Sequence, residues 1–167
     1  MEKHYDASID IWSAGCIFAE LLTCVHADKK LSMKDKILFP GRSCYPLSPD
    51  GQANDTNQEN ENEANGQIQV NLKDQLKMIC RIIGTPKETD KSFMTDEAAL
   101  SYLDMVLKHK HKNKLATIFE KADPQAISLL NEMLQFNPYF RISAKDALAH
   151  PLFDKVRHAH FERPCPV

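Results

Sequence analysis

The sequence predicts an all-α fold. Three observations lead there: apolar residues recur at helical spacing in several stretches, capping and stop residues stand at the ends of those stretches, and neither an alternating strand pattern nor a two-residue hairpin turn occurs. No internal repeat is present.

The first helix is read over Ser8 to Leu22, SIDIWSAGCIFAELL, which is apolar on nearly every face and is therefore expected to be buried all round. Asp6 or Ser8 can accept its first free backbone N–H groups. Residues 43–71 contain no lysine or arginine, and the tract from Gly51 to Gly66, GQANDTNQENENEANG, holds nothing apolar larger than alanine. Such a segment cannot bury enough surface to offset its ordering entropy, so it reads as a disordered insertion.

Order is expected again from Asn71. Leu72, Leu76, Ile79, Cys80 and Ile83 share one helical face, with Asn71 as N-cap, Gly84 at the C′ position and Pro86 as the stop. A shorter helix spans Asp96 to Leu107. Asp123-Pro124 is a cap followed by proline at the first helical position, and Ile127, Leu130, Met133 and Leu134 continue it to Asn137-Pro138. The last helix begins at Ser143, with Asp146 three residues on as a weak capping box, and closes at His150-Pro151.

At 167 residues the chain suits one helical domain with a core of its own. A hydrophobic share of 43%, a formal charge of −2 and a pI near 6.4 give no electrostatic reason for a nucleic-acid surface. The longest apolar run, Ile9 to Leu22, is interrupted by Asp10, Ser13 and Glu20, so no membrane span is expected. The N-terminus lacks the charged-then-apolar layout of a secretory signal. The five cysteines (Cys16, Cys24, Cys44, Cys80, Cys165) form no CxxC pair and read as reduced thiols of a cytoplasmic or nuclear protein. Cys24 with His26, or His158 and His160 with Cys165, lack a second pair at zinc spacing, so no metal site is expected. Lys108, Lys110, Lys112 and Lys114 read as a solvated helix end.

Asp10 carries the most information. An acid in the first turn of a helix is stabilised by the backbone dipole, which makes it a capping aspartate. The sharper reading is a buried carboxylate accepting N–H groups from a loop packed over it, since burial without partners is costly. The Trp12 indole N–H needs a partner too.

The string Asp10-Ile11-Trp12-Ser13-Ala14-Gly15-Cys16 resembles the D-x-W-S-x-G segment on the central helix of the large lobe of eukaryotic protein kinases. Phe136-Asn137-Pro138-Tyr139-Phe140-Arg141 resembles the N-P-x-x-R segment near the end of that fold, and Ala147-Leu148-Ala149-His150-Pro151-Leu152-Phe153 resembles the A-L-x-H-P-F/Y stretch after it. Leu38-Phe39-Pro40-Gly41, Asp74-Gln75-Leu76, Ile83-Gly84-Thr85-Pro86 and the segment before Asp123 are similar to mitogen-activated protein kinases and their proline-directed relatives. Three motifs in order make the resemblance specific, and it covers the chain except the acidic tract.

The resemblance implies the helical C-terminal part of a kinase large lobe, without the small β lobe and the catalytic and activation loops. Residues 1–42 would hold the central helix and its loop, 43–71 the insertion, and 72–155 the remaining helices. Within the last, about 88–120 would be a mitogen-activated-kinase insert, with 156–167 as tail. It further implies that Asp10 holds the catalytic-loop backbone and that Arg141 pairs with the glutamate of A-P-E, so that both, with Trp12 and Gly15, are structural supports. Glu20 matches a position that contacts basic substrate residues in some kinases, and a structural task in proline-directed ones. The tail, Val156 to Arg163, is more basic than acidic, unlike the family's acidic docking patch.

Phosphoryl transfer needs a lysine and metal ions on the nucleotide phosphates and a carboxylate at the attacking hydroxyl. A glycine-rich loop, H-R-D-x-x-x-x-N, D-F-G, A-P-E and T-x-Y are all missing from this sequence. The expectation is therefore a chain with no catalytic, cofactor-binding or metal-binding residue of its own and no phosphoryl transfer alone. ATP and Mg2+, and protein substrates and upstream kinases as partners, belong to the parent family. The alternatives are a non-catalytic kinase-like interaction module and a part of a cyclin-dependent-type kinase.

Overall fold

The computed structural model of the chain describes residues 6–26, 36–41 and 74–158. The expectations for residues 43–71, the cap at Asn71, and the tail beyond His158 lie outside them. The order of helices is α1 Ser8–His26, α2 Gln75–Ile83, α3 Glu97–Val106, α4 Leu115–Ile118, α5 Pro124–Met133 and α6 Ala144–Leu148. Short 3-10 turns stand at Glu88–Lys91, Pro138–Phe140 and Pro151–Phe153.

Side chains start most of these elements. Asp123 accepts from the N–H of Gln125 and Ser143 from Asp146, as their positions in the sequence foretold, and Asp96 caps the helix that begins beside it through the N–H groups of Ala98 and Ala99. The cap of α2 is Asp74, whose carboxylate accepts the N–H of Lys77 at 2.9 Å. Asn137-Pro138 and His150-Pro151, read from sequence as stops, are also starts. Asn137 caps its turn through Tyr139 N–H and His150 caps the next through Leu152 N–H, with proline at the first position in each. Gly84 ends α2 at φ +96°, a backbone only glycine adopts without strain, and a Cβ there would stand 3.0 Å from the Asn113 nitrogen.

The core lies between α1 and the C-terminal helices. Ala19 and Leu22 of α1 pack with Phe39, Leu115, Phe119, Ala122, Ala126, Leu130 and Leu134. Leu129 and Met133 meet Ala147 below, with Ile11, Ile142, Leu152 and Phe153 around them. Gly15 is what lets α1 approach α5 closely: a Cβ would meet Leu134 Cδ2 at 2.9 Å and Met133 Cβ at 3.1 Å.

Two expectations are corrected here. The first helix is not buried all round. Among the described residues only one face is covered, while Ile9, Ile17, Leu21 and Val25 are exposed on the other, Val25 at 74%. Apolar composition fixed no inner side; α5 and the Phe39 loop cover the side that carries Trp12, Gly15, Ala19 and Leu22. The second is narrower: the polar interruptions do not take the first helix below what a bilayer requires, because Ser8–Val25 is long and apolar enough by length and composition alone. Two acids, Asp10 and Glu20, nonetheless lie within it.

Candidate functional site

The N-terminal half of α1 and the segment 135–141 meet around one cation. Arg141 sits half-buried at the C-terminal end of the Pro138–Phe140 turn. Its Nη1 donates to the Ser8 carbonyl at 3.0 Å, its Nε to the Gln135 carbonyl at 2.9 Å, and its Nη2 to the Phe136 carbonyl at 3.4 Å. The guanidinium lies over the Trp12 ring, 4.8 Å from its centroid, and Trp12 stacks on Phe39 at 5.5 Å with an interplanar angle of 16°. Arginine suits this position because one planar fork reaches three carbonyls and still presents a face to the indole. Burial lowers the Arg141 pKa from its ordinary value, and Asp6 and then Cys16 oppose that.

No described carboxylate forms an ion pair with Arg141. Asp6 acts on it from a distance while serving the start of α1, where its Oδ1 accepts the Ser8 N–H at 2.8 Å. Ser8, through its side chain first and its backbone N–H second, lowers the Asp6 pKa. The cluster thus ties three segments distant in sequence: the start of α1, the Phe39 loop, and the segment before α6.

Of the residues singled out in the sequence, Trp12 and Gly15 lie on the inner side of α1, with Arg141 over Trp12 and Leu134 and Met133 against Gly15. Asp10 does not join them. It is exposed in the first turn, on the side of Ile17 and Leu21, so among the described residues it is not a buried carboxylate. Glu20 is half-buried and removed from the cluster; its charge, after burial, helps raise the Cys16 pKa.

Sequence reasoning missed the partners of Asp74. This residue is 1% exposed, and its Oδ2 accepts the Tyr102 hydroxyl at 2.7 Å, joining α2 to α3. Beside it, Gln75 Nε2 donates to the Phe39 carbonyl at 3.2 Å, and Gly41 leaves room for Gln75 by having no Cβ. The string Asp74-Gln75-Leu76 was the available signal, but Asn71 is an equally good cap by residue type. Asn137 is also buried, and its Nδ2 donates to the Thr89 carbonyl and to Ser92 Oγ.

These contacts put the three ordered motifs on facing surfaces, as one lobe of a known fold would require. The family model for the protein kinase domain matches residues 1–153. The chain belongs to the protein kinase family. Its similarity within the family is to the mitogen-activated type. The chain is 33% identical over 163 residues to mitogen-activated protein kinase mpk-1 of Caenorhabditis elegans, covering 98% of this chain and 28% of that protein. It is 32% identical over 155 residues to mitogen-activated protein kinase 7 of Arabidopsis thaliana, covering 90% of this chain and 31% of the relative. With mitogen-activated protein kinase HOG1 of Cryphonectria parasitica the identity is 34% over 148 residues, covering 89% and 30%. This kinase chain therefore spans less than a third of the length of each of these relatives.

Kinases of this family use ATP and Mg2+. Among the described residues of this kinase chain no three His, Cys, Asp or Glu side chains stand together as a metal site. No step of phosphoryl transfer is routed through them.

Proposed function

We propose that this chain is the helical base of a mitogen-activated-type serine/threonine kinase, supporting catalytic and activation segments supplied by other parts of the kinase fold. The observation that carries the reading is the Arg141 cluster, which fixes the start of α1 against segment 135–141. A first turn held this firmly is a fixed platform, and on its outer side Asp10 offers two carboxylate oxygens to backbone N–H groups of a loop laid over it. Trp12 and Gly15 position α1; Arg141 positions the segment that follows. Glu20 is the weaker candidate, for a basic substrate residue.

The activity of the whole protein is then ATP- and Mg2+-dependent phosphorylation of serine or threonine hydroxyls in protein substrates, under upstream kinases, in the cytoplasm or nucleus. The chain by itself carries none of the groups that hold nucleotide or orient the hydroxyl, and is inactive alone. The test is a graft: this chain replaces the matching segment of the mpk-1 relative. A soluble chimera that retains ATP-dependent phosphorylation, and loses most of it on Asp10→Ala, supports the reading. A folded chimera that binds nucleotide but transfers no phosphate, or transfer by the 167-residue chain alone, overturns it.

The exposed apolar side of α1 favours a second reading, a non-catalytic kinase-like module that binds a partner there. The same chimera separates the two, because an interaction module restores no transfer.

A further inference from the structure

The most basic stretch of the chain is Lys108-His109-Lys110-His111-Lys112-Asn113-Lys114, and no acid occurs from Met105 to Phe119. It is not a frayed helix end. The His111 N–H donates to Thr85 Oγ1 at 2.8 Å, the Thr85 N–H to the His111 carbonyl at 3.0 Å, and the Lys114 N–H to the Ile82 carbonyl at 2.8 Å. Asn113 is held from both ends: its Nδ2 donates to Asn131 Oδ1 at 2.7 Å and its Oδ1 accepts the Leu115 N–H at 2.9 Å. Gly84 backs the loop closely: a Cβ there would stand 3.0 Å from the Asn113 nitrogen.

This anchoring lays the loop against the end of α2, where Lys77 and Arg81 stand one turn apart on one face. Burial lowers the His111 pKa, and the neighbouring basic groups Arg81, Lys114, His109 and Lys77 add to that. Among the described residues none of Lys77, Arg81, Lys108, Lys110, Lys112 and Lys114 is ion-paired. The nearest acid before the loop, Asp104, is engaged by Lys91 at 3.0 Å. Like charges held together without counter-charges repel one another, and an anion laid across them relieves that repulsion.

We propose that this surface binds an acidic segment of a partner protein, rich in aspartate and glutamate. A nucleic acid fits it less well, because the loop and its α2 flank offer no Phe, Tyr or Trp side chain for base stacking and the whole chain is net negative. A membrane fits less well too, because a polybasic patch needs a second, apolar anchor and 108–114 contains no apolar residue. Extended peptide carboxylates can reach successive lysines without either.

The test is fluorescence polarisation of the full chain with a labelled octaglutamate peptide. A Kd on the order of 10–100 µM is expected at low salt, weakening as salt rises. The double variant Lys110→Glu/Lys112→Glu should weaken binding by at least about tenfold, whereas Lys145→Glu on α6 should leave it unchanged. His111, followed by NMR, should titrate at a higher pH with peptide bound than without. Octaglutamine binding as tightly, a double variant that binds normally with an unchanged circular dichroism spectrum, or tighter binding of a thymidine oligonucleotide or of phosphatidylserine vesicles would overturn the proposal. These outcomes leave the kinase reading untouched, since no kinase activity is read.

Discussion

Neighbouring residues on α1 meet opposite environments. Leu22 is 8% exposed and belongs to the core with Leu130 and Leu134, whereas Leu21 is 57% exposed and touches none of that core. The two faces have nearly the same apolar content, so composition cannot explain the difference. What separates them is whether another element lies close enough to exclude water; at Gly15 the end of α5 comes so near that a Cβ would stand 3.1 Å from Met133 Cβ. The inner face is organised by a cation with three carbonyls and an indole; the outer face carries Asp10 and a row of aliphatic side chains. One face holds the fold together, and the other is available for something else.

The largest effect should come from breaking the inner face. Leu22→Ala should lower unfolding free energy by about 2–4 kcal/mol, through lost burial and a residual cavity. Leu21→Ala should change it by less than about 0.5 kcal/mol. Urea denaturation of the two variants gives both numbers, and equal losses would mean that the outer face is also packed in solution.

Next comes the cluster at the start of the helix. Arg141→Ala should cost about 2–4 kcal/mol, since it removes three charge-assisted hydrogen bonds and the contact with Trp12. Asp10→Ala should fall within about 0.5 kcal/mol in the isolated chain. Trp12 fluorescence should shift in the first variant and stay fixed in the second.

Tyr102→Phe should be milder, about 1–3 kcal/mol, because it leaves one oxygen of buried Asp74 without its donor. Thermal melting of this variant against Tyr139→Phe, whose side chain is exposed, isolates that loss.

The smallest effect at neutral pH concerns thiols. Burial, and then the charge of Asp74, push the Cys80 thiol from 9.0 up to about 11. The folded chain therefore holds the proton more tightly than the unfolded one. The stability this contributes is fully present below pH 9, declines as pH rises, and is lost through pH 11. In iodoacetamide labelling near pH 8 with peptide mapping, Cys80 should react at least about a hundredfold more slowly than exposed Cys24. Equal rates would show that α2 opens readily.

Caps and stops were legible because they depend on a few adjacent atoms. Asp96, Asp123 and Ser143 each accept an N–H two or three residues on, and that chemistry follows from residue type and position alone. Asp74 carries no cap signal that Asn71 lacks; in the structure it caps α2 through the Lys77 N–H and accepts the hydroxyl of Tyr102, 28 residues away. In the candidate site, Trp12, Gly15 and Arg141 were named from their motifs. The glutamate expected for Arg141 belongs to the A-P-E segment, which this sequence lacks; the carbonyls of Ser8, Gln135 and Phe136 that its donors reach were not legible in the sequence.

The sequence by itself determined the helical class, the ends of most helices, and membership of the protein kinase family, because local hydrogen bonding and ordered motifs are written in contiguous residues. Tertiary structure alone decided which face of α1 is covered, that Phe39 shields Trp12, and that the lysine-rich loop folds back onto α2. Each of these depends on two segments far apart along the chain excluding water from one place, and no local pattern encodes that distance.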